Sequence, residues 1–222
     1  MIAYASRTGT IRNLDGLRTR DWRLLVSATG EWRTEGFRYA IDNGAFTAFL
    51  EFQAGKRAQN MLDTDLFVGC IAELGAGADW ILLPDIVGEG EASLALSIAW
   101  LSRVRATAGL ETVPLYLAVQ DGMESGVLFQ RLCQLLDARL IDGLFVGGST
   151  VWKEATVLLW GKVKARYGVR LHVGRVNTTR RIALCAAAGA DSIDGTSATI
   201  YSVTLPMLDG ARRQPDLFVG EH

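Results

Sequence analysis

Short apolar runs recur along the chain, and most are followed by a polar or glycine-bearing step and then by apolar residues at helical spacing. Met1 to Ser6 reads as a strand whose Tyr4-Ala5-Ser6 end runs into a polar loop, Arg7-Thr8-Gly9-Thr10, before a short amphipathic helix from Leu14 to Arg20. Arg23 to Thr29 is a second strand, closed by Gly30, and Arg38 to Asn43 a third, ending in Asp42. Helices are expected from Ala45 to Gln53 and from Asp63 to Leu74, the latter stopped by Gly75-Ala76-Gly77-Ala78. Asp79 to Ile86 is a buried strand with Asp85 near its carboxyl end. The clearest helix follows from Glu91 to Thr107, with Leu94, Ile98, Leu101 and Val104 on one face and acidic residues in its first turn.

Leu115 to Gln120 is the next strand, Val127 to Ala138 a helix, and Gly143 to Gly148 a strand that ends in two glycines. Ser149 or Thr150 caps a helix running to Tyr167, where Gly168 stops it. Arg170 to Ser197 then reads strand, helix, strand: Leu171, Val173 and Val176 first, a helix entered through Asn177-Thr178-Thr179, and after Gly189 a short strand ending on Asp194-Gly195-Thr196. About eight apolar strands alternating with helices predict a parallel sheet closed into a (β/α)₈ barrel, with an open doubly wound sheet as the alternative. Residues 1–222 are expected to form one such domain, with an irregular tail from about residue 202 marked by Pro206, Gly210 and Pro215.

Composition agrees with a well-filled core, since 49% of the residues are hydrophobic and 21% charged. The net charge of −1 gives no overall basic character, so a nucleic-acid contact has to come from a local patch, and arginines do cluster at Arg175, Arg180 and Arg181. Cys70, Cys133 and Cys185 are widely separated in apolar helical patterns, as buried thiols in a reducing compartment would be. No apolar stretch approaches the roughly twenty residues of a membrane span, and the amino terminus lacks a leader pattern, so a soluble cytoplasmic protein is expected.

Several strands end in a residue that is costly to bury: Asp42, Asp85, Gln120 with Asp121, Gly147-Gly148, Arg175 and Asp194. In a barrel these ends share one mouth, where ligands bind. Each residue taken alone also fits a cap or a turn. Taken together, carboxylates and an amide suit a planar nitrogenous ligand, which they hold through N–H and carbonyl edges, and a further carboxylate is free to act as nucleophile. The glycine pair lets a flat ligand approach the backbone. His172 sits within an apolar strand and reads as a satisfied structural histidine; His222 is terminal.

The series Asp42-Asn43-Gly44-Ala45-Phe46, Pro84-Asp85, Val119-Gln120-Asp121-Gly122, Gly143-Leu144-Phe145-Val146-Gly147-Gly148, Gly174-Arg175-Val176 and Asp191-Ser192-Ile193-Asp194-Gly195-Thr196 resembles the guanine transglycosylases. These enzymes exchange guanine in a nucleic acid for a 7-deazaguanine base. The likeness covers roughly Tyr39 to Ser197 and is greatest to the short phage-associated branch that acts on DNA (the DpdA type), at work in a bacterial or phage-infected cytoplasm. It implies Asp194 as the nucleophile that forms a covalent glycosyl-enzyme and Asp42 as the general acid/base. It further implies Asp85 on the amino and ring N–H edge of the base, Gln120 with the backbone of Gly147 and Gly148 on the carbonyl side, and Phe46 packed near the base. Arg175, Arg180 and Arg181 would contact phosphates.

The chain departs from the family in three respects. The cysteines cannot supply the Cys-x-Cys-x-x-Cys and His zinc site of tRNA-acting members, so neither metal nor cofactor is expected. No carboxy-terminal RNA-binding domain is present, which favours DNA as partner over tRNA. Asp121 stands where many members have glycine. Oligomeric state and any partner protein are left open. The competing readings are a tRNA enzyme without accessory domains, a small-molecule barrel enzyme such as an isomerase or aldolase, and a non-catalytic nucleic-acid-binding barrel. The isomerase reading wants a lysine or glutamate base in the mouth and a phosphate loop after the seventh strand, and no lysine occurs at any strand end.

Overall fold

The structure, a computed structural model, describes residues 1–6, 10–201 and 203–214. The expected loop at Arg7 to Gly9, and Pro215 and His222, lie outside the described residues. The strands are β1 (Ile2–Ala5), β2 (Arg23–Ser27), β3 (Tyr39–Asp42), β4 (Ile81–Leu82), β5 (Leu115–Val119), β6 (Gly143–Val146), β7 (Arg170–Val173) and β8 (Ser192–Gly195). All pair in parallel and in chain order, and β8 returns to β1 with Tyr4 opposite Asp194, so the sheet closes into the expected (β/α)₈ barrel.

The helices lie outside the barrel: α1 (Ile11–Arg18), α2 (Ala45–Gln53), α3 (Thr64–Leu74), α4 (Gly90–Arg105), α5 (Gly126–Asp137), α6 (Thr150–Tyr167), α7 (Thr179–Ala187), α8 (Ser197–Ile200) and α9 (Leu205–Arg213). Their apolar faces and the outward side chains of the strands form one continuous core that includes Leu24, Ile41, Leu83, Leu94, Leu117 and Trp160. Where α6 meets the end of α7, a methyl group at Gly161 would run into the carbonyl oxygen of Ala188. Gly161→Ala is therefore expected to cost about 1–3 kcal/mol through overpacking, read as a lowered midpoint in urea with an unchanged slope.

No helix connects β2 to β3, and none is expected between Gly30 and Arg38; Trp32 in that loop donates its indole N–H to the Ala28 carbonyl (3.0 Å) and lays its ring against Gly69 of α3. Two features differ from the sequence expectation. β4 is much shorter than Asp79 to Ile86, because Pro84 has no N–H to continue the ladder. The region after residue 202 is not irregular throughout. Pro206 sits in the first turn of α9, where its missing N–H costs nothing, and Asp209 anchors that helix by accepting from Trp22 (3.0 Å), Arg212 (2.8 Å) and Arg213 (2.9 Å).

Inside the barrel a second apolar layer of Tyr4, Leu25, Ala40, Trp80, Leu82, Tyr116, Ala118 and Phe145 fills the lower half. Its rings interlock: Trp80 stacks on Tyr116 with centroids 4.7 Å apart, and Phe145 on His172 at 4.9 Å. At the amino-terminal end Asp79 accepts from the Tyr4 hydroxyl (3.0 Å), Arg23 (2.8 Å) and Arg38 (2.7 Å), so the polar groups there satisfy one another. The carboxyl-terminal half of the barrel is left open.

Candidate active site

The mouth of the barrel holds a cavity of about 470 Å³, within the range of roughly 300–1,000 Å³ usual for small-molecule sites. Asp42, Phe46, Asp85, Gln120, Gly147, Gly148, Arg175, Arg181 and Asp194 all line it, above a floor of Leu25, Leu82 and Phe145. Of the residues singled out from sequence, Arg180 and Asp121 are not among them. Arg180 reaches away to solvent. Its side chain is 76% exposed and pairs with Glu154 at 3.3 Å. Arg181 shares that carboxylate at 2.7 Å.

Asp194, at the end of β8, is buried and held by three donors. The Ser6 hydroxyl reaches Oδ2 at 2.5 Å, His172 Nε2 lies 3.0 Å from Oδ1, and the Arg175 backbone N–H donates to Oδ1 at 3.3 Å. Burial acts to raise its pKa, but the contacts with His172 and Ser6 and the nearby Lys153 ammonium outweigh it and hold the carboxyl below its ordinary range. His172 is 0% exposed, and its other nitrogen bonds to Ser192 Oγ at 2.8 Å. It is satisfied, as expected of a structural histidine, but one of its two partners is the Asp194 carboxylate, which it orients.

Asp42 ends β3 and behaves oppositely. Burial first, and then repulsion from Asp194 and Asp85, push it up to about 7 against the smaller opposing effects of the Gly44 N–H and the Ser27 hydroxyl. Asp85 is raised by burial to about 6, although Asn43 (2.7 Å) and Gln120 (2.5 Å) both donate to it. Asn43 also donates to the Leu83 carbonyl (2.6 Å) and accepts from the Ala45 N–H (2.8 Å), so a single amide ties the start of α2 to the Pro84-Asp85 turn.

The Gln120 amide is fixed in one orientation. Nε2 faces Asp85, while Oε1 accepts from the Gly148 N–H at 2.8 Å and the Gly88 N–H at 3.3 Å. The Gly147 N–H donates to Val119 at 3.0 Å. These engagements correct the expected role of the glycine pair. Their N–H groups are already used, and one Nε2 hydrogen of Gln120 goes to Asp85. What the glycines provide is room, since a methyl group at Gly147 would stand 2.7 Å from Gln120 Nε2. Asp121 points away from the cavity and accepts from the Ser149 N–H (2.7 Å) and hydroxyl (2.6 Å), bracing the turn into α6.

Arg175 follows β7 with φ of 59°, one of four non-glycine residues in the left-handed region among those described. Its guanidinium donates to the Gly148 carbonyl and lies over the Phe46 ring, 4.4 Å from Cζ to centroid. Lys153 was not anticipated. It is 6% exposed on the inner face of α6 and donates to the Gly174 carbonyl, fixing the turn that carries Arg175. Burial, aided by the Arg175 charge, brings its pKa down to about 7. The available signal was its place on the stripe with Thr156, Val157, Trp160 and Val163, which makes it a charge on an otherwise buried face.

Cys70, Cys133 and Cys185 lie on three different helices, and among the described residues no group of three or more His, Cys, Asp or Glu is placed to hold a metal ion. Nor is any helix among them long and apolar enough to cross a membrane. A scan against protein-family models finds no match to this chain, and a search of curated proteins finds none either, so the chemistry of the cavity has to be read from its own residues.

Proposed function

We propose that the cavity is the active site of a DNA-guanine transglycosylase, exchanging guanine for a 7-deazaguanine base through a covalent Asp194-glycosyl intermediate. The observation that carries this reading is the opposed setting of two carboxylates in one cavity: Asp194, held by Ser6 and His172, lies below its ordinary range and is ionised, while Asp42 is pushed up to about 7 and can carry a proton near neutrality. Base exchange at an anomeric carbon needs both states at once. The Asp194 carboxylate attacks the anomeric carbon as the bond to guanine breaks, and the electron pair of that bond leaves with the base. Asp42 gives its proton to the departing base, and then, as a carboxylate, takes one from the incoming base, which attacks the same carbon and frees Asp194.

The remaining groups suit a guanine-like ring. Asp85 accepts from the amino and ring N–H edge. Gln120, locked by Gly148 and Gly88, offers its remaining Nε2 hydrogen to the carbonyl. Phe46 supplies an aromatic wall. A target base has to leave the duplex stack to reach this depth, at a cost of a few kcal/mol. Arg181 at the cavity rim, beside the amino terminus of α7, is the residue best placed for a flanking phosphate.

Release of labelled guanine from duplex DNA, measured with and without 7-cyano-7-deazaguanine, tests the reading. Exchange that depends on the added base is expected. Release from tRNA but not DNA would reassign the polymer, and no release from either would sink the transglycosylase reading.

A further inference from the structure

Phe46 and Arg175 both line the cavity, and their flat groups touch. At 4.4 Å the guanidinium is in stacking contact with the ring, and it is held there by its bond to the Gly148 carbonyl. A planar ligand between them needs about 3.5 Å on each face, hence a gap of roughly 7 Å. The slot against Phe46 is therefore shut, although the cavity around it is open. The backbone conformation of Arg175 is one that a side chain rarely adopts, and such strain persists only where the surroundings impose it. Here they do: Lys153 holds the Gly174 carbonyl, and the Arg175 N–H is turned onto Asp194.

We propose that Arg175 is a gate on the base slot: it covers the face of Phe46 while the site is empty and must swing off that ring before a planar base can stack there. The proposal rests on the reading of the cavity as a base site and adds to it a closed resting state. Desolvated stacking of a guanidinium on an aromatic ring, with a hydrogen bond besides, is strong enough to keep the closed form in about tenfold excess. The apparent affinity for a free base is then lowered by about the same factor. Arg181 lines the small adjoining pocket together with Arg175, so a phosphate bound there would be positioned to draw the guanidinium off the ring.

The test is calorimetric titration of free 7-deazaguanine into the wild-type protein, Arg175→Gly and Arg175→Lys. Glycine suits φ of 59°, so that variant is expected to fold, and a thermal melt checks it. Lysine keeps the charge and loses the flat face. Both variants are expected to bind the base about tenfold more tightly than wild type. Binding by wild type with equal or weaker affinity in the variants overturns the gate and leaves the base-site reading intact. A gain confined to Arg175→Gly also overturns it, because charge rather than stacking would then be responsible. Binding by none of the three proteins overturns the gate together with the base site.

Discussion

Guanine exchange by the Asp194→Asn protein is expected to fall by about 10⁴-fold or more, the usual scale for loss of a nucleophile that acts as part of a unit. Asparagine fits the same space but cannot attack the anomeric carbon. Its amide also offers N–H groups toward Ser6 or His172, which now donate to the carboxylate or orient it. A control on folding is therefore needed: the barrel should still melt cooperatively. Intact mass after incubation with DNA supplies the second arm, with an adduct in the wild type and none in Asp194→Ala. An adduct that survives the substitution would move the nucleophile to another carboxylate, and activity within tenfold of wild type would end the assignment.

Asp42→Asn is expected to separate stability from activity. The folded-state pKa of Asp42 is raised to about 7, above its unfolded value of 3.8. Its contribution to stability is thus fully present below about pH 4 and is lost as pH rises through 7, because above that point folding must bury a charge that the unfolded chain carries in water. Asparagine removes this loss. At pH 8 the variant is expected to be more stable by on the order of 2 kcal/mol, reduced from roughly 4 because the carboxyl lines a cavity that water reaches. At pH 4 the two proteins should melt together. Exchange should drop about 10²- to 10⁴-fold, the share of a general acid/base, and wild-type kcat should decline above pH 7 as Asp42 loses its proton. A stability difference that does not change between pH 4 and pH 8 would show that Asp42 is not a strained acid.

The barrel was legible because its signals are local. Each strand is a short apolar run and each helix carries a buried stripe, and the alternation alone implies parallel pairing. The site was legible for a related reason. Closure brings the carboxyl ends of all strands to one rim, so residues at those ends meet whatever their separation in sequence, as Asp42 and Asp194 do. What escaped was set by tertiary contacts. The β2–β3 loop is pinned by the fold-dependent contact of Trp32 with Gly69, and α9 by Asp209 reaching Trp22. The glycine pair looked like free backbone donors until Gln120 proved to occupy the Gly148 N–H. Lys153 carries a charge into the core, and its place on the buried stripe of α6 was the signal passed over.

The interlocked rings of Trp80, Tyr116, Phe145 and His172 close the barrel from below, and Asp79 with its arginines seals it further. The cavity is therefore a dead end with one doorway. On the transglycosylase reading, the departing base leaves through the same opening, above a cavity of about 470 Å³, that admits its replacement. A single doorway suits traffic in sequence, and under that reading the covalent bond to Asp194 is what would keep the sugar parked while the first base leaves and the second arrives.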